Sequence, residues 1–419
     1  MAGPRALSLR PPWEGRKVVL GVTGGIAAYK AVQVARDLTR LGALVDVVLT
    51  RSAEEFVRPL SFEGVTGRSV LTSLWSAEGS ARHLTLAGEA DLVLVAPATA
   101  DFLARASQGR GDDLLTTLLL ATRAPVLLAP AMNDRMWSHP QTVRNAHHCR
   151  EVLGYRLVGP RDGPLAAGEG AGPGRMLEPD ELVEWSGRLL GAVSPWSSIQ
   201  VLVTAGPTRE PLDAVRYVGN RSSGRMGFAV AREAWLRGSE VTLVTGPSAL
   251  PDPVGVTVRR VETAREMRDA VMEVAPRANL SVFAAAVADF RPQDPSREKQ
   301  KRKDTGSEWA IRLVENPDVA GESRSVRPPG SVAVGFALET GELISRAREK
   351  LEAKGFDLIV ANDAGEEGAG FDVTTNRVTL LDREGGAEAL PLMGKEEVAR
   401  VILDRVESHL PSTSNGDDS

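Results

Sequence analysis

One pattern is written twice in this chain, and it leaves few architectures open. Gly42–Thr50 (GALVDVVLT) returns as Gly238–Thr245 (GSEVTLVT). Ala90–Ala96 (ADLVLVA), leading to Ala100-Asp101, returns as Ala278–Ala284 (ANLSVFA), leading to Ala288-Asp289. Each copy opens on a short apolar strand that ends in threonine. Val18–Val22 runs into Thr23-Gly24-Gly25, and Ile199–Val203 runs into Thr204-Ala205-Gly206-Pro207. A helix-period stretch follows the first, with a glycine stop at Gly42. Pro125–Ala129, ending in Pro130-Ala131-Met132-Asn133, reads as a further strand. Continuous apolar strands alternating with helical segments imply parallel sheets covered on both faces. The expected fold class is therefore α/β, two doubly wound, Rossmann-like parallel-sheet domains. Thr23 to Thr50 spans 27 residues and Thr204 to Thr245 spans 41. The surplus falls around Arg209–Gly224, which predicts a loop inserted after the first strand of the second copy. Proline- and glycine-rich stretches at 160–174 and 191–198 place the divide near 195. The expected domains are 15–192 and 197–408, with 409–419 reading as a disordered tail.

Composition removes several classes of function. Among 419 residues there is one cysteine, Cys149, so neither an intramolecular disulfide nor a multi-thiolate zinc site can form. Five histidines leave little for a histidine-built metal centre. A net charge of −5 gives no general attraction to nucleic acid or membrane, and 5% aromatics argue against base-stacking platforms. No apolar run approaches the ~18 residues of a spanning helix. The first fifteen residues lack a signal-peptide apolar core, which points to the cytoplasm. What is left is an enzyme acting on small molecules.

In an open α/β sheet, ligands lie beyond the carboxyl ends of the strands. Thr23-Gly24-Gly25-Ile26 holds that place in the first domain, ahead of a helix whose amides attract phosphate. Taken alone it is also an ordinary strand-to-helix turn. It is not a strict G-x-G-x-x-G, and the second strand ends in Thr50 rather than the acid expected to hold a nicotinamide ribose. FMN therefore fits better than NAD. Ala96–Asp101 offers small residues that let a flat ring approach backbone, although by itself it reads as a turn. Pro130–Trp137 (PAMNDRMW) packs an amide, a cation, two thioethers and an indole behind a strand end, as a carboxylate- or amide-binding lip would. A lone histidine such as His83 is more often a surface or capping residue. In the second half, Gly219–Gly227 (GNRSSGRMG) suits a substrate phosphate. Arg297–Lys303 (REKQKRK) is the densest positive run. Usually such a run is a solvated face. Here it follows Asp289, where a carboxylate could hold Mg²⁺ and lysines a triphosphate. A Walker motif is absent.

These motifs, in this order from about Lys17 to about Arg405, resemble the bifunctional flavoprotein family of coenzyme A biosynthesis, in which phosphopantothenoylcysteine decarboxylase is fused to phosphopantothenate–cysteine ligase. The carrying segments are Gly24–Lys30, Ala96–Asp101, Gly111–Leu114, Pro130–Trp137 and Gly172–Met176, then Thr204–Pro211, Arg216–Gly224, Ala285–Asp289, Asn316–Asp318, Gly335-Phe336 and Ala361–Asp363. The resemblance implies a flavodoxin-like domain binding FMN at Gly24, Gly25, Ile26, Thr50 and Thr99. It implies His83 as an active-site histidine and Asn133 as the group that binds the substrate carboxylate, with Met132, Met136 and Trp137 beside it. FMN would oxidise the cysteine thiol to a thioaldehyde, loss of CO₂ would give an enethiolate, and reduction would give 4′-phosphopantetheine. For the ligase half it implies CTP at Ala284, Ala285, Asp289, Lys299, Pro317, Asp318, Val319, Ala320, Phe336, Lys350 and Lys354, with Mg²⁺ at Asp289. Arg216, Asn220, Ser222 and Ser223 would take 4′-phosphopantothenate. Its carboxylate attacks the α-phosphate of CTP, and the amine of L-cysteine then displaces CMP from the acyl-cytidylate, with Asn220 and Lys299 as catalytic residues. The resemblance further implies a homo-oligomer, with trimeric flavin-domain contacts, dimeric ligase-domain contacts and a dodecamer as one assembly.

One departure from the family pattern stands out. Relatives carry a proton-donating cysteine in an Ala-Cys-Gly segment before G-x-G-R-M. Here Leu165–Met176 reads LAAGEGAGPGRM, and Ala167 holds the cysteine position. The proton would then come from water or from Glu169, or the reduction would be impaired. A ligase with an impaired flavin domain and a flavoprotein regulatory subunit are the alternatives this leaves open.

Overall fold

The computed structural model describes residues 11–75, 79–192, 196–301, 309–339, 342–363 and 373–410. The 409–419 tail beyond Leu410, together with Arg302 and Lys303 of the basic run, lies outside them. The described residues fall into two compact units, one through Gly191 and one from Ala192.

The first unit contains strands β1 (Lys17–Val22), β2 (Leu44–Leu49), β3 (Leu92–Ala98), β4 (Val126–Pro130) and β5 (Arg156–Leu157), in the parallel order β2-β1-β3-β4-β5. Its helices are α1 (Ala28–Arg40), α2 (Pro59–Thr66), α3 (Gly79–Glu89), α4 (Ala100–Ser107), α5 (Leu114–Ala121), α6 (Asp134–Ser138), α7 (Pro140–Glu151) and α8 (Pro179–Gly191). A hairpin, β6 (Arg161–Pro164) and β7 (Ala171–Arg175), precedes α8. Because the strands are buried on both faces, they are apolar without alternation. In α1, by contrast, Ala28, Ala31, Val34, Ala35 and Leu38 form one buried stripe at helical spacing. The core around Val93, Phe102, Leu103, Leu115 and Leu118 is dry enough that truncating Phe102 to alanine should cost ~3–5 kcal/mol. Order extends before residue 15. Trp13 is buried, and its indole donates to Val183 O at 3.2 Å and Ser186 Oγ at 2.9 Å on α8.

The second unit has strands β8 (Gln200–Ala205), β11 (Glu240–Thr245), β12 (Thr257–Arg260), β13 (Leu280–Phe283), β16 (Val332–Glu339), β17 (Leu358–Asp363), β19 (Thr379–Asp382) and β20 (Ala387–Ala389), in the order β12-β11-β8-β13-β16-β17-β19-β20. From β12 to β17 the sheet is parallel. The last two strands run antiparallel, so this sheet is mixed rather than wholly parallel. The inserted residues form a hairpin, β9 (Arg209–Pro211) with β10 (Tyr217–Gly219). Two further ribbons pair β14 (Phe290–Pro292) with β15 (Leu313–Glu315), and β18 (Thr375–Asn376) with β21 (Met393–Gly394). The helices are α9 (Arg225–Leu236), α10 (Ala264–Val274), α11 (Val319–Ser323), α12 (Leu343–Lys354) and α13 (Lys395–Glu407). The α9 helix starts at Arg225, directly after Gly224, which at φ +80° takes the left-handed cap conformation that a side chain would oppose. Tilted rings of Phe283 and Phe356, 5.8 Å apart, join β13 to the turn between α12 and β17.

In each sheet the chain first builds to one side of its first strand, with β2 beside β1 and with β11 then β12 beside β8, and then crosses to the other side. The reversal falls between β1 and β3, and again between β8 and β13. Two crevices follow from that topology.

Candidate active sites

At the carboxyl ends of β1 and β3 lies a cavity of about 1260 Å³. Thr23 Oγ1 donates to Pro97 O at 2.7 Å and accepts from Thr99 N at 3.2 Å, which ties the two strand ends together. Thr99 Oγ1 in turn caps α4 through Phe102 N at 3.3 Å. Gly24 runs so close to the turn after β2 that an added Cβ would stand 2.4 Å from Ser52 Cβ. Gly24, Gly25, Ile26, Thr50 and Thr99 all line the cavity.

The cavity's buried and half-buried charges are paired. Lys30, 8% exposed, reaches Glu178 at 3.0 Å, and Arg175 binds the same carboxylate. Burial pushes the Glu178 carboxyl up, but the hydrogen bonds and charges of Lys30 and Arg175 outweigh it and hold it below the usual carboxylate range. Arg105 grips Asp112 at 2.5 Å and Asp113 at 2.8 Å, and its hydrogen bond holds the Asp112 carboxyl low. At the end of β4, Asn133 caps α6 through Oδ1, which accepts from Arg135 N at 3.0 Å. Its Nδ2 donates to Glu169 Oε2 at 3.0 Å. Glu169 sits in the loop of the β6–β7 hairpin, and Met132 N donates to Gly174 O at 3.0 Å, so the hairpin rests on the Asn133 loop.

Met132, Asn133 and Met136 line this cavity; Trp137 does not. Trp137 packs against the core, as an indole with apolar neighbours does. His83 lies within α3, outside the cavity lining. Cys149 is fully buried with Sγ 3.9 Å from Leu103 O, and burial pushes its thiol up to about 11.

The second cavity, about 790 Å³, lies at the carboxyl ends of β8, β13, β16 and β17. Ala284, Ala285, Asp289, Pro317, Asp318, Val319, Ala320, Phe336, Lys350 and Lys354 line it, as do Asn220, Ser222 and Ser223. Asn220 Nδ2 donates to Val287 O at 3.0 Å, anchoring the loop before α9 to the end of β13. Asn316 Nδ2 donates to Ala288 O at 2.8 Å, and Asn316 N to Asp289 O at 2.8 Å. Asp318 caps α11 through Gly321 N at 3.0 Å and pairs with Lys354. Lys350 Nζ donates to Phe336 O at 2.9 Å.

Arg216 and Lys299 are not among these lining residues. Arg216 pairs with Asp213 at 2.5 Å, donates to Gln300 O at 2.7 Å and stacks 4.5 Å over the Trp309 ring. Asp213 also accepts from Val215, Arg216 and Gln300 amides, and the Arg216 hydrogen bond holds its carboxyl well below the usual range. A positive run therefore does not mark a lining segment; these residues clip the segment after Ser296 to the turn between β9 and β10. Conversely, the sequence reading passed over Lys30, Arg105 and Glu178 around the first cavity, and Asn376 and Lys395 in the second. For Lys395 a signal existed: a lysine opens a helix just after Gly394. Among the described residues, no group of three or more His, Cys, Asp or Glu side chains could hold a metal ion, and no helix is long and apolar enough to cross a membrane.

Two family models cover the chain. Residues 8–191 match the model described as "Flavoprotein", and residues 196–410 match "DNA/pantothenate metabolism flavoprotein C-terminal domain". The coenzyme A biosynthesis bifunctional protein of Vibrio cholerae is 46% identical over 93% of this chain and 97% of its own length. The protein of the same name from Mycolicibacterium smegmatis is 45% identical over 95% and 98%. Among solved structures, the C-terminal domain of a coenzyme A biosynthesis bifunctional protein is 37% identical, covering 50% of this chain and 94% of that one, with a TM-score of 0.42.

Proposed function

This chain belongs to the family of coenzyme A biosynthesis bifunctional proteins, and from that premise we propose how its two cavities divide the chemistry. It is a bifunctional enzyme, a phosphopantothenoylcysteine decarboxylase joined to a phosphopantothenate–cysteine ligase. The first cavity takes FMN. The observation that supports it is the cradle at Gly24, where the chain has left out a side chain that would collide with Ser52. Gly24, Gly25 and Ile26 would hold the phosphate side, and Thr50 and Thr99 the ring side. Bound there, FMN supplies a transient two-electron oxidation that lets the substrate sulfur accept the electron pair freed when CO₂ leaves.

The protein's own residues orient the substrate and supply a proton. Asn133 Nδ2 already holds a carboxylate oxygen, that of Glu169, and is the natural partner for the carboxylate to be lost. The bond from Cα to the carboxylate then breaks, CO₂ departs, and the Glu169 proton passes to that carbon; water restores it. The side chains that compete for this role are otherwise engaged. Lys30, Asp112 and Asp113 are paired, and Cys149 is buried outside the cavity.

In the second cavity, the carboxylate of 4′-phosphopantothenate attacks the α-phosphate of CTP, releasing pyrophosphate. The amine of L-cysteine then displaces CMP. Phe336, Lys350, Lys354 and the Asn316–Ala320 turn would hold the nucleotide, Ser222 and Ser223 the phosphopantothenate, and Asn220 the acyl oxygen. Asp289 is a single exposed carboxylate; Mg²⁺ carried by a nucleotide commonly needs only one or two, so the site fits that ion. His83, Arg216 and Lys299 stand outside their cavities. This reading places them at contacts with other copies of the chain in a homo-oligomer, which light scattering tests.

The experiment for the whole reading is product analysis. With 4′-phosphopantothenate, L-cysteine, CTP and FMN, the enzyme should release pyrophosphate, CMP and CO₂ and yield the saturated thiol. Pyrophosphate without CO₂ would show that the flavin half does not complete its reaction.

A further inference from the structure

The ligase joins three reactants, and the residues assigned above to nucleotide, phosphopantothenate and acyl oxygen leave the amine of L-cysteine without a holder. One end of the cavity carries polar side chains that none of those roles uses. Asn376 and Asn362 both line the cavity and are 4% and 8% exposed. The β17–β19 pairing sets Ala361 opposite Thr379, so Asn376, three residues before Thr379, comes to the edge where β17 ends in Asn362-Asp363. The β18–β21 ribbon fixes Asn376 there, paired with Met393. Asn376 Oδ1 has no hydrogen-bond partner. A buried acceptor left open costs roughly 1–3 kcal/mol. An open oxygen calls for an N–H or O–H donor, and a turn of the amide about Cβ–Cγ presents it to the cavity.

Position narrows the donor. Along β17, Ile359 and Ala361 point into the core shared with Met267 of α10, Val319 of α11 and Ala347 and Leu351 of α12. Strand alternation turns Asn362 to the opposite face. That face is covered by α9, whose Gly227 lies against Ala205 of β8, and by α13, tied to α9 through Arg237 and Asp404 at 2.6 Å. Lys350 and Lys354 stand on α12, on the other side of the sheet. Of the residues given to the nucleotide, only Phe336 shares the face of Asn362, two residues before Leu338, which pairs with Asn362. Asn220, set for the acyl oxygen, is anchored at Val287 just beyond β13, and β16 separates β13 from β17. Two strand spacings put those ends ~10 Å apart. A hydrogen bond at each side, a carbonyl and a ~3 Å line of attack fill about that span.

We infer that Asn376, with Asn362 at the same edge, forms the subsite for the amine of L-cysteine. The inference rests on the ligase reading above. The cysteine ammonium first gives a proton to water. Asn376 Oδ1 then accepts one N–H of the neutral amine and aims its lone pair at the acyl carbon. The C–N bond forms and the bond from that carbon to the phosphate oxygen breaks. CMP leaves with the electron pair, and the surplus N–H proton passes to water. The Asn362 amide, an N–H donor, suits the cysteine carboxylate. Neither asparagine takes or gives a proton, so their part is to hold and orient the nucleophile.

Steady-state ligase kinetics of the full chain test it, with bound flavin and CO₂ release from supplied phosphopantothenoylcysteine as controls for folding. Asn376→Leu removes the acceptor at nearly constant size, and because that acceptor is unpaired the melting temperature should not fall. Its KM for L-cysteine should rise roughly tenfold, as loss of one hydrogen bond implies, while the KM values for CTP and phosphopantothenate stay within about twofold. Exchange of labelled pyrophosphate into CTP, measured with phosphopantothenate and no cysteine, reads the first half-reaction alone and should run at the native rate. Asn376→Ala should act as leucine does, and Asn376→Asp, which keeps an acceptor oxygen, should recover part of the cysteine affinity. A rise confined to the nucleotide or the phosphopantothenate constant would give the oxygen to that ligand and overturn the inference, as would unchanged constants throughout. A native enzyme with no pyrophosphate exchange would instead defeat the ligase reading itself.

Discussion

The two cavities share a topology and differ in how they treat charge. Around the first, Lys30 and Arg175 share Glu178, and Arg105 is saturated by Asp112 and Asp113. Around the second, Lys354 pairs with Asp318, Lys350 donates to a backbone carbonyl, and the amides of Asn220 and Asn316 hold the carbonyls of the segment after β13. A charge or amide engaged within the protein fixes the loop that carries it. The first crevice is thus rimmed by carboxylates held by cations, and the second largely by backbone carbonyls held by amides and a lysine.

Variants can break that contrast, the largest effect first. Gly24→Val should empty the first cavity of flavin, because the new side chain overlaps Ser52. The absorbance of the purified protein would lose its flavin bands, while pyrophosphate release continues. Lys299→Gln should lower ligation by a hundredfold or more and leave flavin in place. Unchanged pyrophosphate release would show that Lys299 serves only the clip formed by Asp213, Arg216 and Gln300. Glu169→Gln should reduce kcat for decarboxylation by ~10²-fold, the usual share of a general acid. A Glu169→Gln enzyme with native kcat would leave water as the proton source. Acid should separate the two crevices more gently. Glu178 and Asp112 have depressed carboxyls in the folded protein, so their contribution is full above the ordinary carboxylate range and fades as pH falls through the lowered values. Flavin should therefore loosen below about pH 4, as fluorescence would report. The smallest change is expected from Cys149→Ala: decarboxylation as in the parent, ~1 kcal/mol or so of lost stability in a melt, and in the parent a thiol inert to alkylation at neutral pH.

Much of this was legible before the fold. Strand ends marked by Thr23, Thr204 and the Pro130–Asn133 turn sit at the crevices because topology forces ligand sites to those ends. Pro317 to Ala320 and Lys350 with Lys354, expected from the sequence to serve one ligand, line one cavity. Others misled. Trp137 shares a motif with Asn133, but α6 turns its indole toward the core. Arg216 lies in a phosphate-like segment and is spent on Asp213.

Local pattern carries what depends on local physics: apolar strands, a helix stripe in α1, the inserted hairpin, the lone cysteine. Pairing across long separations is invisible to it. Lys30 and Glu178 meet from 148 residues apart, Asn133 and Glu169 from 36. Whether a charge is neutralised, buried or left for a ligand depends on which distant group the fold brings beside it. So sequence alone determined that this chain makes two crevices with small residues and amides at their rims. Only the tertiary structure decided which charges are used up, and that Cys149 is sealed away while Glu169 reaches the decarboxylase cavity.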